Sequence, residues 1–294
     1  MTFAEKIRAG VTVLTTEIGP PKGIETSKIL EEAELVRGKV DAINVTDLQS
    51  SVMRLGSLGV CAILKQKGFE PIYQVTCRDR NRLALQSDIL SAAMLNIKNI
   101  LALTGDYPTL GDHPEAKPVF DLDSVQLLEV IRMLQSGTDM KGNKLEGAAP
   151  AFCKGAVVNP GADPLEPQII KMEKKVEAGA EFFQTQAIYD PKVFENFLAK
   201  TKHIKVPILA GIVFLKSAGM AKFMNKNVAG VQVPDNLIKE MEETKDKVAT
   251  SIDITCRLIK ELKPMCQGIH LMPIGWGKYV PRVLEQSGLI LQPS

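Results

Sequence analysis

The chain has 294 residues, 45% of them hydrophobic, which is enough to bury one large α/β barrel or two smaller domains. Its 36 basic and 34 acidic side chains leave a net charge of +2, which favours neither nucleic acid nor an anionic membrane. No apolar run approaches the ~20 residues of a membrane span, and the N-terminus lacks the apolar core of a signal peptide. We therefore expect a cytoplasmic protein.

Cysteine and histidine usage argues against a structural metal or a disulfide framework. The five cysteines are scattered and contain no C-x-x-C pair, so neither a zinc knuckle nor an iron–sulfur cluster is expected. An all-histidine metal site would need His113, His203 and His270 together, although His113 lies in a polar loop and His203 in a charged helix end. We expect no intrinsic metal.

Strand-like apolar runs and amphipathic helical stretches alternate along the whole chain. Eight strands are predicted, at 11–17, 41–46, 71–76, 99–104, 154–158, 182–187, 206–213 and 268–273. The helical stretches are 24–38, 50–67, 79–96, 123–136, 165–178, 190–202, a longer segment within 217–262, and 278–287.

Eight such units in this length predict a single (β/α)8 TIM barrel over residues 1–294, with 137–150 as a surface excursion. The alternative is a doubly wound open sheet. Its usual nucleotide fingerprints are missing, because no G-x-G-x-x-G follows the first strand and no G-x-x-x-x-G-K-[ST] loop occurs.

Polar side chains gather at the predicted strand ends, where the loops of a barrel form one catalytic face. Two acids, Glu17 and Asp106, each follow an apolar run and precede a Gly/Pro turn. The other strand ends carry amides, hydroxyls and glycines, a set that suits a flat heteroaromatic ligand better than a cluster of phosphoryl-transfer ions. These ends are Thr46-Asp47, Gln74 to Cys77, Asn159, Thr185-Gln186 and the GIHLMPIGWG segment.

Six motifs resemble, in order and spacing, the catalytic barrel of the methylenetetrahydrofolate reductases, over about residues 11–215. They are TEIGPPKG, DAINVTD, YQVTCRDRN, NILALTGDYP, KKVEAGAEFFQTQAIYD and VPILAGIV. The E-I-x-P-P-K-G start and the C-R-D-R-N turn are most similar to a bacterial, acetogen-like branch. The resemblance implies a flavin, FAD with FMN as the alternative, that passes a hydride to methylenetetrahydrofolate and yields 5-methyltetrahydrofolate.

The resemblance also implies roles for individual residues. Glu17 matches the family's general acid, whose proton opens the bridged ring to an iminium cation. Asp106 matches an aspartate near flavin and folate that stabilises this cation, and Gln186 matches the glutamine that holds the pterin. Simpler interpretations remain open: Glu17 as a structural carboxylate bonded to backbone amides, Asp106 as a cap of the turn at 107–109, and Gln186 as a polar strand end.

Flavin contacts are implied for nine positions, three of which depart from many bacterial members. Many of those members have a histidine at the position of Gln74, an arginine at that of Thr104 and an aromatic residue at that of Asn159. Because the arginine is lost here, the choice between FAD and FMN stays open. The family's folate-stacking phenylalanine aligns with Ala218, and we expect nearby Phe214 to substitute as a substrate contact. The nine positions are Thr46, Gln74, Thr76, Thr104, Gly105, Asp106, Phe120, Asn159 and Lys175.

Other functions and partners stay open at this point. A flavin-free folate-binding barrel, either a pterin methyltransferase or a folate-binding subunit, would share the pterin contacts. The electron donor is NAD(P)H or a partner protein, and the chain is a candidate homo-oligomer. An apolar face around Met220, Phe223 and Met224 could dock a redox partner, although such a stripe is more often core.

Overall fold

A computed structural model describes residues 1–289 and shows a closed barrel of eight parallel strands in the order β1 to β8. The barrel closes where β1 pairs with β8, for example Thr15 with His270. The predicted (β/α)8 fold is confirmed. The strands are β1 Val13–Ile18, β2 Ala42–Val45, β3 Pro71–Thr76, β4 Asn99–Leu103, β5 Cys153–Val158, β6 Phe182–Ala187, β7 Ile208–Val213 and β8 Gly268–Met272.

Helices alternate with the strands and surround the barrel. Their apolar faces pack on outward-facing strand side chains and form the larger of two hydrophobic clusters. The helices are α1 Phe3–Arg8, α2 Ser27–Leu35, α3 Ser57–Gln66, α4 Arg82–Met94, α5 Ser124–Gln135, α6 Glu166–Glu177, α7 Pro191–Thr201, α8 Ala218–Asn227, α9 Asp235–Glu243, α10 Lys247–Leu262 and α11 Val280–Ser287. Within residues 1–289, no helix combines the length and apolarity needed to cross a membrane.

Several helix boundaries differ from the sequence prediction. The helix predicted over 50–67 begins only at Ser57, because the preceding loop turns through left-handed backbone at Leu48, Ser50 and Ser51. The long segment within 217–262 divides into three helices, and α9 begins directly after Pro234. The short first helix, α1, had not been predicted.

The lower half of the barrel interior, at the amino ends of the strands, is apolar and closed. Phe3 of α1 meets Phe182 of β6 edge to face, with ring centroids 5.2 Å apart, and both rings are almost fully buried. Helix α1 therefore plugs this end of the barrel. The cluster consists of Phe3, Ile7, Val13, Ala42, Ile72, Leu101, Cys153, Phe182 and Leu209.

Candidate functional site

A cavity of about 500 Å³ opens at the other end of the barrel, where the strands reach their carboxyl ends. Side chains from most of the strands and from the loops after them line it, so the residues brought together are far apart in sequence. The predicted site residues that line this cavity are Glu17, Gln74, Thr76, Thr104, Gly105, Asp106, Asn159, Lys175 and Gln186.

Glu17 lies near the end of β1 with 8% of its side chain exposed. Its Oε1 accepts a 3.4 Å hydrogen bond from Gln49 Nε2, and its Oε2 lies 3.8 Å from His270 Nε2. Among the described residues it accepts no bond from a backbone amide, which the structural-carboxylate interpretation required. The acid is thus held by side chains at the floor of an open cavity, where it can reach a ligand.

Asp106 follows β4 in a loop that is clamped through its backbone. The Asp106 carbonyl accepts hydrogen bonds from Ser51 Oγ at 3.0 Å and from Arg78 Nη1 at 3.2 Å. Arg78 is 2% exposed and also donates to the carbonyl of Leu48, so one guanidinium ties two rim loops together. Gly105 adopts φ +96°, and a Cβ there would come 2.9 Å from the Arg78 Cβ.

The Asp106 carboxylate accepts no hydrogen bond from residues 1–289. A turn cap would need a bond from an amide of residues 107–109, so the geometry does not support that interpretation. The loop fixes the position of the backbone and leaves the charge of Asp106 directed at the cavity and solvent.

Asp47, two residues beyond the end of β2, anchors the rim. Its side chain is buried and accepts hydrogen bonds from both the amide and the hydroxyl of Thr76, each at 2.9 Å. Arg80 forms an ion pair with the same carboxylate, with Nη1 and Oδ2 2.7 Å apart. The Thr76 hydroxyl is therefore already committed to the protein, and Thr76 contributes to the cavity wall mainly by shape.

Gln186 ends up in the cavity beside an irregularity of the sheet. The β6–β7 register shifts between Gln184 and Ala187, and the Thr185 hydroxyl accepts the Gly211 amide at 2.8 Å. The Gln186 Oε1 accepts a bond from the Ala187 amide at 3.1 Å, whereas Nε2 donates to no group in the described part of the chain. The amide thus presents unused donors to a ligand.

Lys175 places a buried ammonium group on the cavity wall. It is 7% exposed on α6 and donates to the carbonyl of Val157 at 2.6 Å. No carboxylate of the described chain lies within 4 Å of Lys175 Nζ, and burial, together with the charge of Lys171, lowers its pKa to about 8. An anionic ligand group would supply the missing counter-charge.

Three other predicted cofactor contacts, Thr46, Thr104 and Asn159, differ in whether their side chains already form hydrogen bonds within the protein. Thr46 is 1% exposed, does not line the cavity, and its Oγ1 has no partner. The Thr104 hydroxyl contacts Ser124 Oγ at 3.2 Å. Asn159 donates to the carbonyl of Ala229 at 2.8 Å and so joins the β5 loop to the loop between α8 and α9.

Phe120 lines a neighbouring side pocket of about 550 Å³ rather than the main cavity. Its ring meets Tyr107 edge to face at 5.5 Å, and the pocket shares Thr104 and Gly105 with the main cavity. Lys174 also lines the side pocket. The two spaces are adjacent, so a long ligand could span both.

Phe214 does not fulfil the expected substrate contact. It is 1% exposed, belongs to the hydrophobic cluster outside the barrel, and does not line the cavity. The reason is the alternation of β7: Leu209 points into the barrel, so residues an odd number of positions away, including Phe214, point toward the helices. Along α8, Met224 is buried while Phe223 is 61% exposed, so the apolar face of this helix is partly core.

Sequence reasoning missed a polar layer at the floor of the cavity, where Gln184 and His270 form part of the lining. Thr15, Asn44, Gln184 and His270 are each at most 2% exposed and are hydrogen-bonded to one another. The available signal was a polar residue inside an otherwise apolar strand, as in GIHLM and FFQTQA, because a buried polar group needs a partner. Within residues 1–289, no group of three or more His, Cys, Asp or Glu side chains could hold a metal ion.

A family model described as methylenetetrahydrofolate reductase matches residues 2–288. The chain belongs to this family. Among curated members, methylenetetrahydrofolate reductase 2 of Schizosaccharomyces pombe is 26% identical over 97% of this chain, and a probable methylenetetrahydrofolate reductase (NADPH) of Caenorhabditis elegans is 23% identical over 85%. The alignments cover 47% and 36% of those proteins, so this family barrel spans less than half of their length.

Solved structures agree on the fold. An uncharacterized protein from Clostridium thermocellum, described as binding two copies of 5-methyl-5,6,7,8-tetrahydrofolic acid, superposes with a TM-score of 0.61 and 17% identity. That superposition covers 97% of this family member and 96% of the other chain. An oxaloacetate acetylhydrolase superposes with a TM-score of 0.53 and 10% identity over 99% and 90% of the two chains. These likenesses establish the barrel architecture.

Proposed function

We propose that the chain reduces 5,10-methylenetetrahydrofolate to 5-methyltetrahydrofolate with a bound flavin, in the cytoplasm. The observation that carries the proposal is the single cavity that brings Glu17, Asp106 and Gln186 together from β1, β4 and β6. Membership of the reductase family supports it, and so does the structural neighbour that binds a methylated folate.

The chain's own residues account for the proton and the charge of this reaction. Glu17 gives its proton to one of the two nitrogens that the methylene carbon bridges. The bond between that nitrogen and the carbon then breaks, and its electron pair stays on the nitrogen. The carbon becomes an iminium cation, which the free carboxylate of Asp106 stabilises. Gln186 donates from Nε2 to the pterin and orients the ring. When bound, a flavin would supply the hydride that completes the methyl group.

The residues present fit a flavin. Lys175 brings a buried ammonium without a carboxylate partner to the cavity wall, and Gly105, where a Cβ would collide with Arg78, lets the backbone form part of the same wall. Thr46 also has a buried hydroxyl without a partner, but it does not line the cavity, so the structure does not support its predicted flavin contact. Gln74, Thr76, Thr104 and Asn159 complete the wall against which the cofactor would lie.

The side pocket favours FAD over FMN. Phe120 and Tyr107 give it an aromatic lining that suits an adenine ring, and it lies directly beside the main cavity. The electron donor is NAD(P)H, bound in the same cavity, or a partner protein at the mouth.

The test separates this reaction from flavin-free folate binding. The purified protein should be yellow, and mass spectrometry of the released cofactor should identify FAD. After anaerobic photoreduction, mixing with methylenetetrahydrofolate should reoxidise the flavin and yield 5-methyltetrahydrofolate in equal amount. A colourless protein that binds 5-methyltetrahydrofolate in calorimetry would overturn the redox proposal and favour the folate-binding alternative.

A further inference from the structure

A chain of four buried polar side chains crosses the barrel beneath Glu17. Asn44 of β2 and Gln184 of β6 exchange two amide hydrogen bonds, of 2.8 and 3.0 Å. Gln184 Nε2 also lies 3.4 Å from Thr15 Oγ1, and Thr15 Oγ1 lies 2.9 Å from His270 Nδ1. Members of the chain come from β2, β6, β1 and β8, so they meet only because the barrel is closed.

The directions of these bonds determine which nitrogen of His270 carries the proton. The second hydrogen of Gln184 Nε2 is donated to Thr15 Oγ1, so the Thr15 hydroxyl has its own hydrogen left to donate. Among the described residues, Thr15 Oγ1 has only one other hydrogen-bonding neighbour, His270 Nδ1, and a buried hydroxyl without an acceptor is costly, so this hydrogen is assigned to Nδ1. A neutral His270 therefore holds its proton on Nε2.

The protonated nitrogen faces Glu17, with Nε2 and Oε2 3.8 Å apart. If the side-chain amides of Asn44 and Gln184 were both rotated so that oxygen and nitrogen exchanged places, every hydrogen bond in the chain would reverse. Nε2 of His270 would then be unprotonated, and its lone pair would face the Glu17 carboxylate. The 3.8 Å contact is longer than a hydrogen bond, but an N–H dipole that points at a carboxylate oxygen is electrostatically favourable, so the carboxylate and the amides favour the same tautomer.

Below this layer the barrel is filled by apolar side chains such as Val13, Leu101 and Phe182. No polar group of the lower cluster continues the chain toward solvent, and the amide pair has no ionisable group to pass a proton on. The chain of side chains can therefore orient His270 but cannot conduct protons through the barrel.

We propose that His270 is a positioning residue for Glu17, held by Thr15 in the Nε2–H tautomer so that it donates to the Glu17 carboxylate formed after proton transfer. The role rests on the proposed function, because it acts on the acid of that reaction. His270 loses no proton in the cycle: Glu17 gives its proton to the folate nitrogen and takes the next one from solvent at the mouth.

The tautomer can be measured without flavin or turnover. The chain contains three histidines, and His113 and His203 are both in exposed hydrogen bonds, so the buried ring should be assignable in long-range ¹⁵N–¹H NMR spectra. We expect a protonated Nε2 and an unprotonated Nδ1 for His270. A protonated Nδ1 with a bare Nε2 would overturn the inference, whatever the outcome of the flavin experiment.

Variants of Thr15 test the consequence for Glu17. Thr15→Val keeps the shape and removes the hydroxyl, so His270 should lose its single tautomer and the rate of the folate half-reaction should fall about fivefold, since one hydrogen bond contributes about 1 kcal/mol. Photoreduction of the flavin and its binding should not change, and Thr15→Ser should restore both the spectrum and the rate. If Thr15→Val does not fold, His270→Gln provides the same comparison of half-reactions. A folate half-reaction that keeps its full rate when the tautomer is lost would also overturn the inference.

Discussion

The two ends of the barrel interior are built by the same strands and have opposite chemistry. In β1, inward-facing Val13 lies in the apolar plug, while Glu17, four residues later, lies in the cavity. In β6, Phe182 and Gln186 stand in the same relation. Because inward-facing positions recur every second residue, a few residues of strand separate packing from chemistry.

The comparison teaches where each kind of substitution should act. The plug cluster consists of apolar side chains and contributes through buried apolar area, so changes there should affect stability. The mouth holds unpaired donors, a free carboxylate that faces solvent, and the buried ammonium of Lys175, and of these charges only the buried one costs stability when no ligand uses it. Changes at the mouth should affect binding and turnover and leave the fold intact.

The largest expected effect lies in the plug. Phe182→Ala removes a ring that is fully buried against Phe3, and such truncations destabilise proteins by about 3–5 kcal/mol. Denaturant unfolding should report this loss, while the surviving folded protein should keep the folate affinity of the parent. A variant of unchanged stability and altered affinity would break the proposed division between the ends.

Glu17→Gln is the corresponding change at the mouth. Loss of the general acid should slow the folate half-reaction by about 10²-fold or more, while flavin binding and flavin reduction persist because neither needs the proton that opens the folate ring. Stopped-flow measurement of the two half-reactions checks this. Glu25→Gln, on the exposed loop after β1, is the matched control and should react like the parent.

A near-normal folate half-reaction in Glu17→Gln would remove the assignment of Glu17 as the acid. The remaining polar cavity would then have to be explained as a binding site alone.

Asp106→Asn removes the free charge and keeps the size of the side chain. If this charge faces the cofactor, its loss should raise the midpoint potential on the order of 30 mV, equivalent to about 1.4 kcal/mol for a two-electron couple, and should weaken folate reduction. A redox titration measures the shift. Asp112→Asn, in the same loop, should leave the potential unchanged because that carboxylate is paired with Lys22 outside the cavity.

An unchanged midpoint potential together with intact folate reduction in Asp106→Asn would show that Asp106 has only a structural role within its loop.

Lys175 gives the smallest effect and one that depends on pH. Its pKa is about 8 in the folded chain and 10.5 ordinarily, so between these values the unfolded chain binds a proton that the folded chain does not. Stability should therefore rise with pH in this window, by about 1 kcal/mol per pH unit relative to Lys175→Met. Unfolding midpoints at pH 8 to 9.5 test this, with exposed Lys174→Met expected to follow the parent.

If the parent and Lys175→Met show the same pH slope, the ammonium of Lys175 is not buried in solution. A bound anion should also reduce the slope difference, because it stabilises the charged form.

The strands could be predicted closely from sequence, and the polar layer could not. Runs 71–76 and 182–187 coincide with β3 and β6, because buried parallel strands are short apolar stretches between turns. The positions of Glu17 and Asp106 followed from the rule that strand ends form one face. The partnership of Thr15 with His270 depends on which strands face each other after closure, and neither residue's own neighbours indicate it.

Local backbone chemistry explains the remaining misses. The left-handed residues around Ser50 carry no glycine to mark them, so a helix was predicted where a rim loop lies. The loop is held there by Arg78, whose contacts with Ser51 and with the Asp106 carbonyl join two different strand ends. The prediction that Phe214 contacts the substrate was wrong for a simpler reason. A shift of one residue along a strand moves a side chain to the other face.

Because α1 and the ring of Phe182 close one end of the barrel, the cavity opens at the mouth and not through the barrel. Under the proposed function, an electron donor that binds in the cavity and the folate pass through the same opening, so each has to leave before the other can approach. Steady-state rates measured at several fixed concentrations of one substrate should then give parallel double-reciprocal lines, and an excess of either substrate should inhibit by occupying the entrance. Because one end of the barrel is closed, the electron donor and the folate have to occupy the mouth in turn.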